Sequence, residues 1–339
     1  MSRRIAWMLI AALALIAAFA PLPAEAIERW YSRGLFPPLQ RTLTTASNLV
    51  PLALFDVLWI GAVAITPVLV RRAILRHGVR AGLLRVLRGA AGAAAIVYLG
   101  FLATWGLNYR RVPLFDKVVF HPERITAHES ARLGRWATAE LNTHYAEAHA
   151  SPTSLATLAG AFESAHRALR GSPIVPGRPK ATLLGWYFHK ASIAGMTDPF
   201  LLETLLAPDL LEVERPFVIA HEWAHLAGYA DESEANFVAY LACRRADAAA
   251  QYSAGLVMIG YARPEPGLSE ALEIGPRSDL YAIQARYART SGTLRFAARE
   301  GYDKYLKANR VERGIESYDA VVQLILGTDF DPAGNPRLR

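Results

Sequence analysis

Hydrophobic residues are concentrated in the first 108 positions of the chain, where they form three long apolar segments. The segments run from about Ile5 to Leu22, from about Leu49 to Val70 and from about Gly89 to Leu107. An α-helix needs about 20 apolar residues to cross a bilayer, and the three segments are close to that length. The pattern therefore predicts a membrane region over residues 1–108, followed by a globular domain.

The charges between the second and third segments predict how the region is oriented. Six arginines lie there with no acidic residue among them: Arg71, Arg72, Arg76, Arg80, Arg85 and Arg88. Loops rich in arginine and lysine stay in the cytoplasm. We therefore expect residues 71–88 to be a cytoplasmic loop, and the chain from Asn108 onward to be extracytoplasmic.

The first segment fits two interpretations. It follows Arg3 and Arg4 and precedes Ala24-Glu25-Ala26, which resembles a signal-peptide cleavage site. It is also nearly long enough to remain as a membrane anchor, so residues 1–26 stay open between the two. Both interpretations place the following residues outside, where Trp30 and Tyr31 suit an interfacial aromatic belt.

Asp56 interrupts the second segment near its outer end. A carboxylate inside a membrane segment suggests a proton relay. Its place only seven positions into the segment favours an interfacial carboxylate instead.

Residues 109–328 predict a mostly helical α+β domain. Helical patterns cover His121–His149, Ser154–Leu169 and the chain from Arg215 onward, and the apolar run at 251–262 indicates a core helix. The aromatic and β-branched residues within Ala181–Ala194 predict a strand. The polar residues 329–339 contain two prolines and are expected to be a disordered tail.

Composition and charge narrow the function. The chain of 339 residues is 53% hydrophobic and carries a formal net charge of +7, to which the arginine loop contributes. Neither a basic groove with interleaved aromatic residues nor a nucleic-acid module is visible, so no nucleic-acid partner is expected. The one cysteine, Cys243, excludes an intramolecular disulfide, and its apolar neighbours indicate a buried structural thiol.

The motif that carries chemistry is His221-Glu222-Trp223-Ala224-His225. Two histidines four residues apart lie on one face of a helix and can share a zinc ion. The glutamate between them can act as general base toward a zinc-bound water. Pro216 is well placed to begin this helix and Gly228 to end it.

A catalytic zinc site needs a third protein ligand. Asp231 has the spacing at which metzincin-type peptidases place theirs, and Glu234 begins a second helix, where gluzincin-type peptidases place a glutamate. The same pair also fits a capping box, with Asp231 as N-cap and Glu234 three residues later. Capping and ligation do not exclude each other, so both residues remain candidates on spacing alone.

The stretch from His221 to Cys243 resembles the signature of an uncharacterised bacterial family of zincin-like membrane proteins. The resemblance extends over most of the chain, through Trp105-Gly106-Leu107-Asn108-Tyr109-Arg110-Arg111, the segment Glu28–Pro38, and Gly314-Ile315-Glu316-Ser317-Tyr318. It implies three membrane segments and a zinc-dependent hydrolase in the bacterial inner membrane. Glu234-Ala235-Asn236-Phe237 matches the family pattern and favours Glu234 as the third ligand. Leu226 departs from it, since the family usually has a polar residue after the second histidine.

The expected function is a membrane-anchored, gluzincin-like zinc metallopeptidase that cleaves peptides or proteins of the cell envelope, with Glu222 as catalytic base. Extended substrate would pair along an edge strand within residues 195–211. Tyr302, Tyr305 and Tyr318 are candidates, by residue type, for stabilising the oxyanion. The alternative is a catalytically inactive zincin-fold sensor or scaffold, although such a protein has no need of Glu222. The substrate and the oligomeric state stay open.

Overall fold

The computed structural model describes residues 3–262, 267–289, 292–309 and 320–339. Its N-terminal part is helical: α1 (Arg3–Phe19), α2 (Ala24–Ala26), a π-helical stretch (Ile27–Leu35), α3 (Phe36–Asn48), α4 (Leu54–His77) and α5 (Val79–Thr104). Among the described helices, α4 and α5 are long and apolar enough to cross a membrane. The residues 7–19 and 24–48, bent by 112°, provide a third candidate span if they are counted together.

The helices α4 and α5 pack as a hairpin whose turn is Gly78, with a φ of +74°. The arginines of residues 71–88, which were expected in a loop, lie instead within the two helices. Arginine is a good helix former, and only the glycine, which accepts positive φ at low cost, breaks the helix. The arginine-rich turn still separates the two apolar stretches. The helix α1 packs along α5, with the ring of Trp7 against Gly92.

The rest of the chain forms one mostly helical domain with a small sheet. In chain order its elements are α6 (Leu114–Lys117), α7 (Ala127–Ala150), α8 (Leu155–Ala168), β1 (Pro179–Lys180), α9 (Gly185–Ala191), β2 (Gly195–Thr197), β3 (Thr204–Leu206), α10 (Arg215–Leu226), α11 (Glu232–Cys243), α12 (Ala248–Tyr261), α13 (Leu268–Ala271), α14 (Ile274–Ala288), α15 (Gly292–Ala308) and α16 (Ala320–Gly327). The strand order is β1-β3-β2, parallel between β1 and β3 and antiparallel between β3 and β2. The expectation of a mostly helical chain with little sheet is confirmed.

Two local predictions are wrong. The strand expected within Ala181–Ala194 is instead α9, which begins after a turn in which Thr182 Oγ1 accepts a hydrogen bond from Leu184 N (3.1 Å). The C terminus is not a disordered tail, because Phe330 pairs with Pro336 and Leu338 pairs with Val118. Both predictions judged the residues by type alone. The helix α9 depends on the turn that precedes it, and the C-terminal residues depend on pairing with Val118, which is distant in sequence.

The core lies around α11, which is buried along its whole length. It packs against the four helices α8, α10, α12 and α16. Cys243 lies in this core, and burial raises the pKa of its thiol, in agreement with a structural role. The helix that carries the histidine motif, α10, is therefore anchored on the most deeply buried element of the domain.

A buried ion pair joins the N-terminal helices to the sheet. Lys180 Nζ lies 2.5 Å from Glu203 Oε1, and both side chains are almost completely buried. Glu203 also accepts hydrogen bonds from the backbone N of Leu54 and Phe55 at the start of α4, and from Ser47 Oγ. The pair thus holds the beginning of α4 against β1 and β3.

Replacing Lys180 with methionine should destabilise the protein by about 3–5 kcal/mol, because Glu203 keeps its charge inside the protein without a cationic partner. The measurement is the unfolding of the detergent-purified protein by heat or denaturant. Lys304→Met, which removes an exposed pair with Glu300, is the matched control and should leave stability nearly unchanged, because exposed ion pairs contribute little. The double variant Lys180→Met, Glu203→Gln should recover part of the loss. An equal effect of the two single lysine variants would contradict this prediction.

Candidate metal centre

The motif lies on α10, which begins and ends as its sequence predicts. Pro216 occupies the first turn, and Gly228 follows the helix with a φ of +83°. Gly228 N donates to His225 O (2.9 Å) and Tyr229 N donates to Ala224 O (3.0 Å), which satisfies the last carbonyls of the helix. The chain can therefore turn sharply after His225 and enter α11.

Three side chains converge where α10 and α11 meet. His221 Nε2 lies 3.0 Å from His225 Nε2, and Glu232 Oε2 lies 3.2 Å from the first and 3.5 Å from the second. This is the one group of three or more histidine, cysteine or acidic side chains with metal-site spacing in the part of the chain that the structure describes. Glu232 and His225 are buried and His221 is partly accessible.

Hydrogen bonds on the far side of each imidazole set its orientation. His221 Nδ1 lies 2.8 Å from Asn236 Oδ1, and His225 Nδ1 lies 2.7 Å from the carbonyl oxygen of Tyr229. A carbonyl can only accept, so Nδ1 of His225 carries a proton, and the amide oxygen of Asn236 favours the same tautomer for His221. Both Nε2 atoms then point to one place, which is how proteins orient histidines for a metal ion.

The donor set and its spacing fit zinc. Ligands about 2.05 Å from a tetrahedral zinc ion are separated by roughly 3.3 Å. The three separations in this structure, 3.0, 3.2 and 3.5 Å, lie around that value. Glu232 Oε2 is buried and faces the two imidazole nitrogens at 3.2 and 3.5 Å, and a metal ion bound between the three atoms would satisfy it. Two imidazoles and one carboxylate are also a usual catalytic zinc set.

The acid that the structure places beside the histidines is Glu232, whereas the sequence favoured Glu234. Glu234 Oε1 accepts a hydrogen bond from Leu114 N (2.5 Å) and faces Arg111 and Lys117. Asp231 caps α11 by accepting from Ser233 N and Glu234 N. The reason lies in helix geometry: residues two apart on a helix point roughly 200° away from each other, so Glu232 and Glu234 cannot both face α10.

Glu222 is buried between α10 and the edge strand β2. Its Oε2 accepts a hydrogen bond from Thr197 Oγ1 (2.8 Å). Gly195 passes so close that a Cβ at this position would lie 2.6 Å from Glu222 Oε1. The glycine therefore gives the carboxylate its space and the threonine fixes its direction. The edge strand expected within residues 195–211 is present as β2, on the outside of the sheet.

The charges of the site favour a cation. Burial by itself lowers the pKa of His225, but the Glu232 carboxylate outweighs it and raises that pKa to about 9. Burial by itself would raise the pKa of Glu232, yet the two histidines hold it well below its usual value. Burial raises the pKa of Glu222 despite the neighbouring histidines. Two carboxylates thus face two imidazoles in a volume with little water, where a positive charge is strongly stabilised.

Of the three tyrosines singled out by residue type, the structure brings Tyr302 to the site. Its hydroxyl donates to Glu232 Oε1. Tyr305 stacks on Tyr302 with ring centroids 5.8 Å apart, and Tyr318 lies outside the described residues. His189 forms a half-buried pair with Asp209 and takes no part in the site.

Sequence patterns missed Glu232, Thr197 and Asn236. The N-cap at Asp231 offered one usable signal, because it places Glu232 in the first position of α11, directly after the turn from α10. Thr197 and Asn236 reach the site only through tertiary contacts, so their spacing in the sequence does not indicate their roles. Their roles depend on how β2 and α11 pack against α10.

Beneath the site, His166 supports Tyr229, whose carbonyl orients His225. His166 Nδ1 lies 3.1 Å from Tyr229 Oη and its Nε2 lies 2.9 Å from the carbonyl oxygen of Ser172. Burial lowers the pKa of His166 to about 4. The folded protein therefore keeps this histidine neutral at pH values where the unfolded chain protonates it.

Stability should consequently fall as the pH drops from about 6.5 toward 4, with a contribution from His166 of up to about 1.4 kcal/mol per pH unit. Above pH 6.5 His166 should not contribute to the pH dependence of the free energy of unfolding. The measurement is the free energy of unfolding against pH for the wild type and His166→Gln. An unchanged acid slope in the variant would contradict the assignment, and His144→Gln, at a more accessible helix position, is the control.

Comparison with known proteins places the chain in a family. Residues 31–326 match the sequence model of the family described as "Protein of unknown function (DUF3810)". The chain belongs to this family. The match confirms the resemblance to an uncharacterised family noted from the sequence, and the DUF3810 description itself carries no activity. No curated protein and no solved structure gives a significant match.

Proposed function

We propose that this DUF3810 protein is a membrane-anchored, zinc-dependent peptidase whose catalytic domain lies on the extracytoplasmic side of the bacterial inner membrane. The convergence of His221, His225 and Glu232 beside Glu222 carries the proposal. Three ligands and a buried carboxylate next to an edge strand are the parts that hydrolysis of an extended peptide requires.

His221 Nε2, His225 Nε2 and Glu232 Oε2 would hold the zinc ion. When bound, zinc would supply Lewis-acid polarisation of a carbonyl and make water a nucleophile at neutral pH. Asn236 and the Tyr229 carbonyl keep the two imidazoles in the ligating tautomer. Tyr302, through its hydrogen bond to Glu232 Oε1, leaves Oε2 as the free oxygen.

Glu222 is the group that moves the proton. It would accept a proton from the attacking water and deliver it to the leaving amine. Thr197 donates a hydrogen bond to one carboxylate oxygen, and the other oxygen lies beside Gly195 of the edge strand. Burial raises the pKa of Glu222, which brings the carboxylate closer to the proton affinity that a base needs near neutral pH.

The strand β2 is the proposed docking line for the substrate. It pairs with β3 through one edge, and its residue Thr197 contacts Glu222. An extended peptide could add to the other edge by backbone hydrogen bonds, which would bring a scissile carbonyl toward the two histidines. This arrangement favours unfolded or loop segments of polypeptide as substrates.

The charge distribution along the hairpin supports the proposed topology. The turn at Gly78 is surrounded by arginines of α4 and α5, whereas the catalytic domain follows the opposite ends of these helices. The positive-inside rule then assigns the turn to the cytoplasm and the domain to the outside.

The zinc content of the detergent-purified wild-type protein tests the proposal. Elemental analysis should find about one zinc per chain, as for a structural or catalytic zinc site, and His221→Ala should lose it. His189→Ala, at a half-buried histidine that is paired with Asp209 and takes no part in the site, is the matched control. A wild type without zinc after reconstitution would refute the peptidase. Zinc binding without hydrolysis of a broad peptide library would favour the alternative function, a catalytically inactive sensor or scaffold in the envelope.

A further inference from the structure

Two of the large apolar side chains exposed on the surface of the catalytic domain lie close together in sequence, at the start of α9. Leu183 is 65% exposed and Trp186 is 66% exposed, one on each side of the start of α9. Tryptophan is enriched where proteins meet the headgroup layer of a bilayer, because its ring is apolar and its indole N–H is polar. We call Leu183 and Trp186 the α9 patch.

The α9 patch is fixed at the height of the first turn of α4. Asp56, in that turn, accepts hydrogen bonds from Leu183 N (2.8 Å) and Thr182 Oγ1 (2.7 Å). Asp56 is buried by these contacts, so it acts as a tether between α4 and the domain. The exposed residues Val57 and Leu58 follow directly on α4. The patch therefore continues the apolar surface of a helix that is long enough to cross the membrane.

The candidate metal centre lies close to the same level. Trp105, directly after α5, donates its indole N–H to the carbonyl of His225 (2.9 Å), and the two rings are 6.0 Å apart. From the other side, α9 packs against α15, which brings Tyr302 to Glu232. The site is thus contacted directly by Trp105 at the end of α5. It is also linked to the start of α4 through α9 and α15.

We infer that the α9 patch is seated in the outer headgroup layer of the bilayer, and that this contact holds the site where it reaches polypeptide segments close to the membrane surface. The substrate class that follows is a membrane-anchored polypeptide cleaved near its anchor; this part rests on the proposed peptidase function. A site held at this distance from the bilayer is poorly placed to cleave segments inside a large soluble protein, because its entrance lies next to lipid.

The lipid contact can be tested without any substrate. The sole native cysteine is buried, so a cysteine introduced at the surface can be labelled selectively. Leu183→Cys and Trp186→Cys would carry an environment-sensitive fluorophore in nanodiscs of phosphatidylethanolamine and phosphatidylglycerol, with and without spin-labelled lipid. Ile274→Cys, at another strongly exposed apolar position on α14, is the control. We expect several-fold stronger quenching at both patch positions than at Ile274; equal quenching would overturn the inference.

The substrate class is tested with one peptide library in two forms, free and coupled to a lipid anchor in the same nanodiscs. Faster cleavage of the anchored form by the wild type, reduced toward the rate of the free form in Trp186→Ala, would support it. Equal cleavage of both forms would refute the substrate class and leave the peptidase intact. Cleavage of neither form would count against the peptidase, and the fluorescence result would still decide the lipid contact.

Discussion

The Glu222→Gln variant should hydrolyse peptide substrates about 10²–10⁴-fold more slowly than the wild type, the usual contribution of general acid–base catalysis. Glutamine can keep the hydrogen bond from Thr197, and it fits beside Gly195, but it cannot accept a proton. It is not a ligand of the proposed zinc ion, so the zinc content should stay at the wild-type level. Turnover and zinc content, measured together, distinguish loss of the catalytic base from loss of the metal ion.

The control for this variant is Glu212→Gln, which removes a negative charge from an exposed position just before α10. It should leave turnover within about twofold of the wild type, since exposed charges are largely screened by solvent. Wild-type turnover in Glu222→Gln would mean that another group takes the proton. Loss of zinc in the same variant would mean that Glu222 serves the metal and not the water.

Glu232→Gln should weaken zinc binding by at least about 100-fold, whereas Glu234→Gln should leave it nearly unchanged. Groups that only orient ligands already contribute 10–100-fold to metal affinity, and loss of a ligand should cost at least as much. The two glutamates are a matched pair: both are buried in the first turn of α11, but only Glu232 faces the histidines. Competition with a zinc chelator provides the measurement.

The result also decides between two ways of choosing the third ligand. The family resemblance favours Glu234, and helix geometry in the folded protein favours Glu232. Zinc loss in Glu234→Gln with retention in Glu232→Gln would contradict the site as described. The Glu234 variant keeps an oxygen that can accept from Leu114 N, so its fold should be preserved.

Much of the architecture follows from local pattern. The helices expected at residues 121–149, 154–169 and 251–262 are present as α7, α8 and α12, since each combines a regular apolar face with suitable ends. Ser154, for example, caps α8 by accepting from Thr157 N. Predictions failed where a residue's partner is distant. The C-terminal residues pair with Val118 and Val119. No pattern in the C-terminal sequence indicates these partners.

The sequence by itself determined that His221 and His225 lie on one face of a helix with Glu222 between them, because the helical period converts a spacing of four residues into a shared direction. It also determined where that helix begins and ends. Only the tertiary structure decided which acid lies beside the histidines. The packing of α11 against α10 sets its rotation about its own axis, and that rotation turns Glu232 toward the histidines and Glu234 toward Arg111. A rotation of one helix relative to another is a property of packed surfaces, so spacing along the chain cannot specify it.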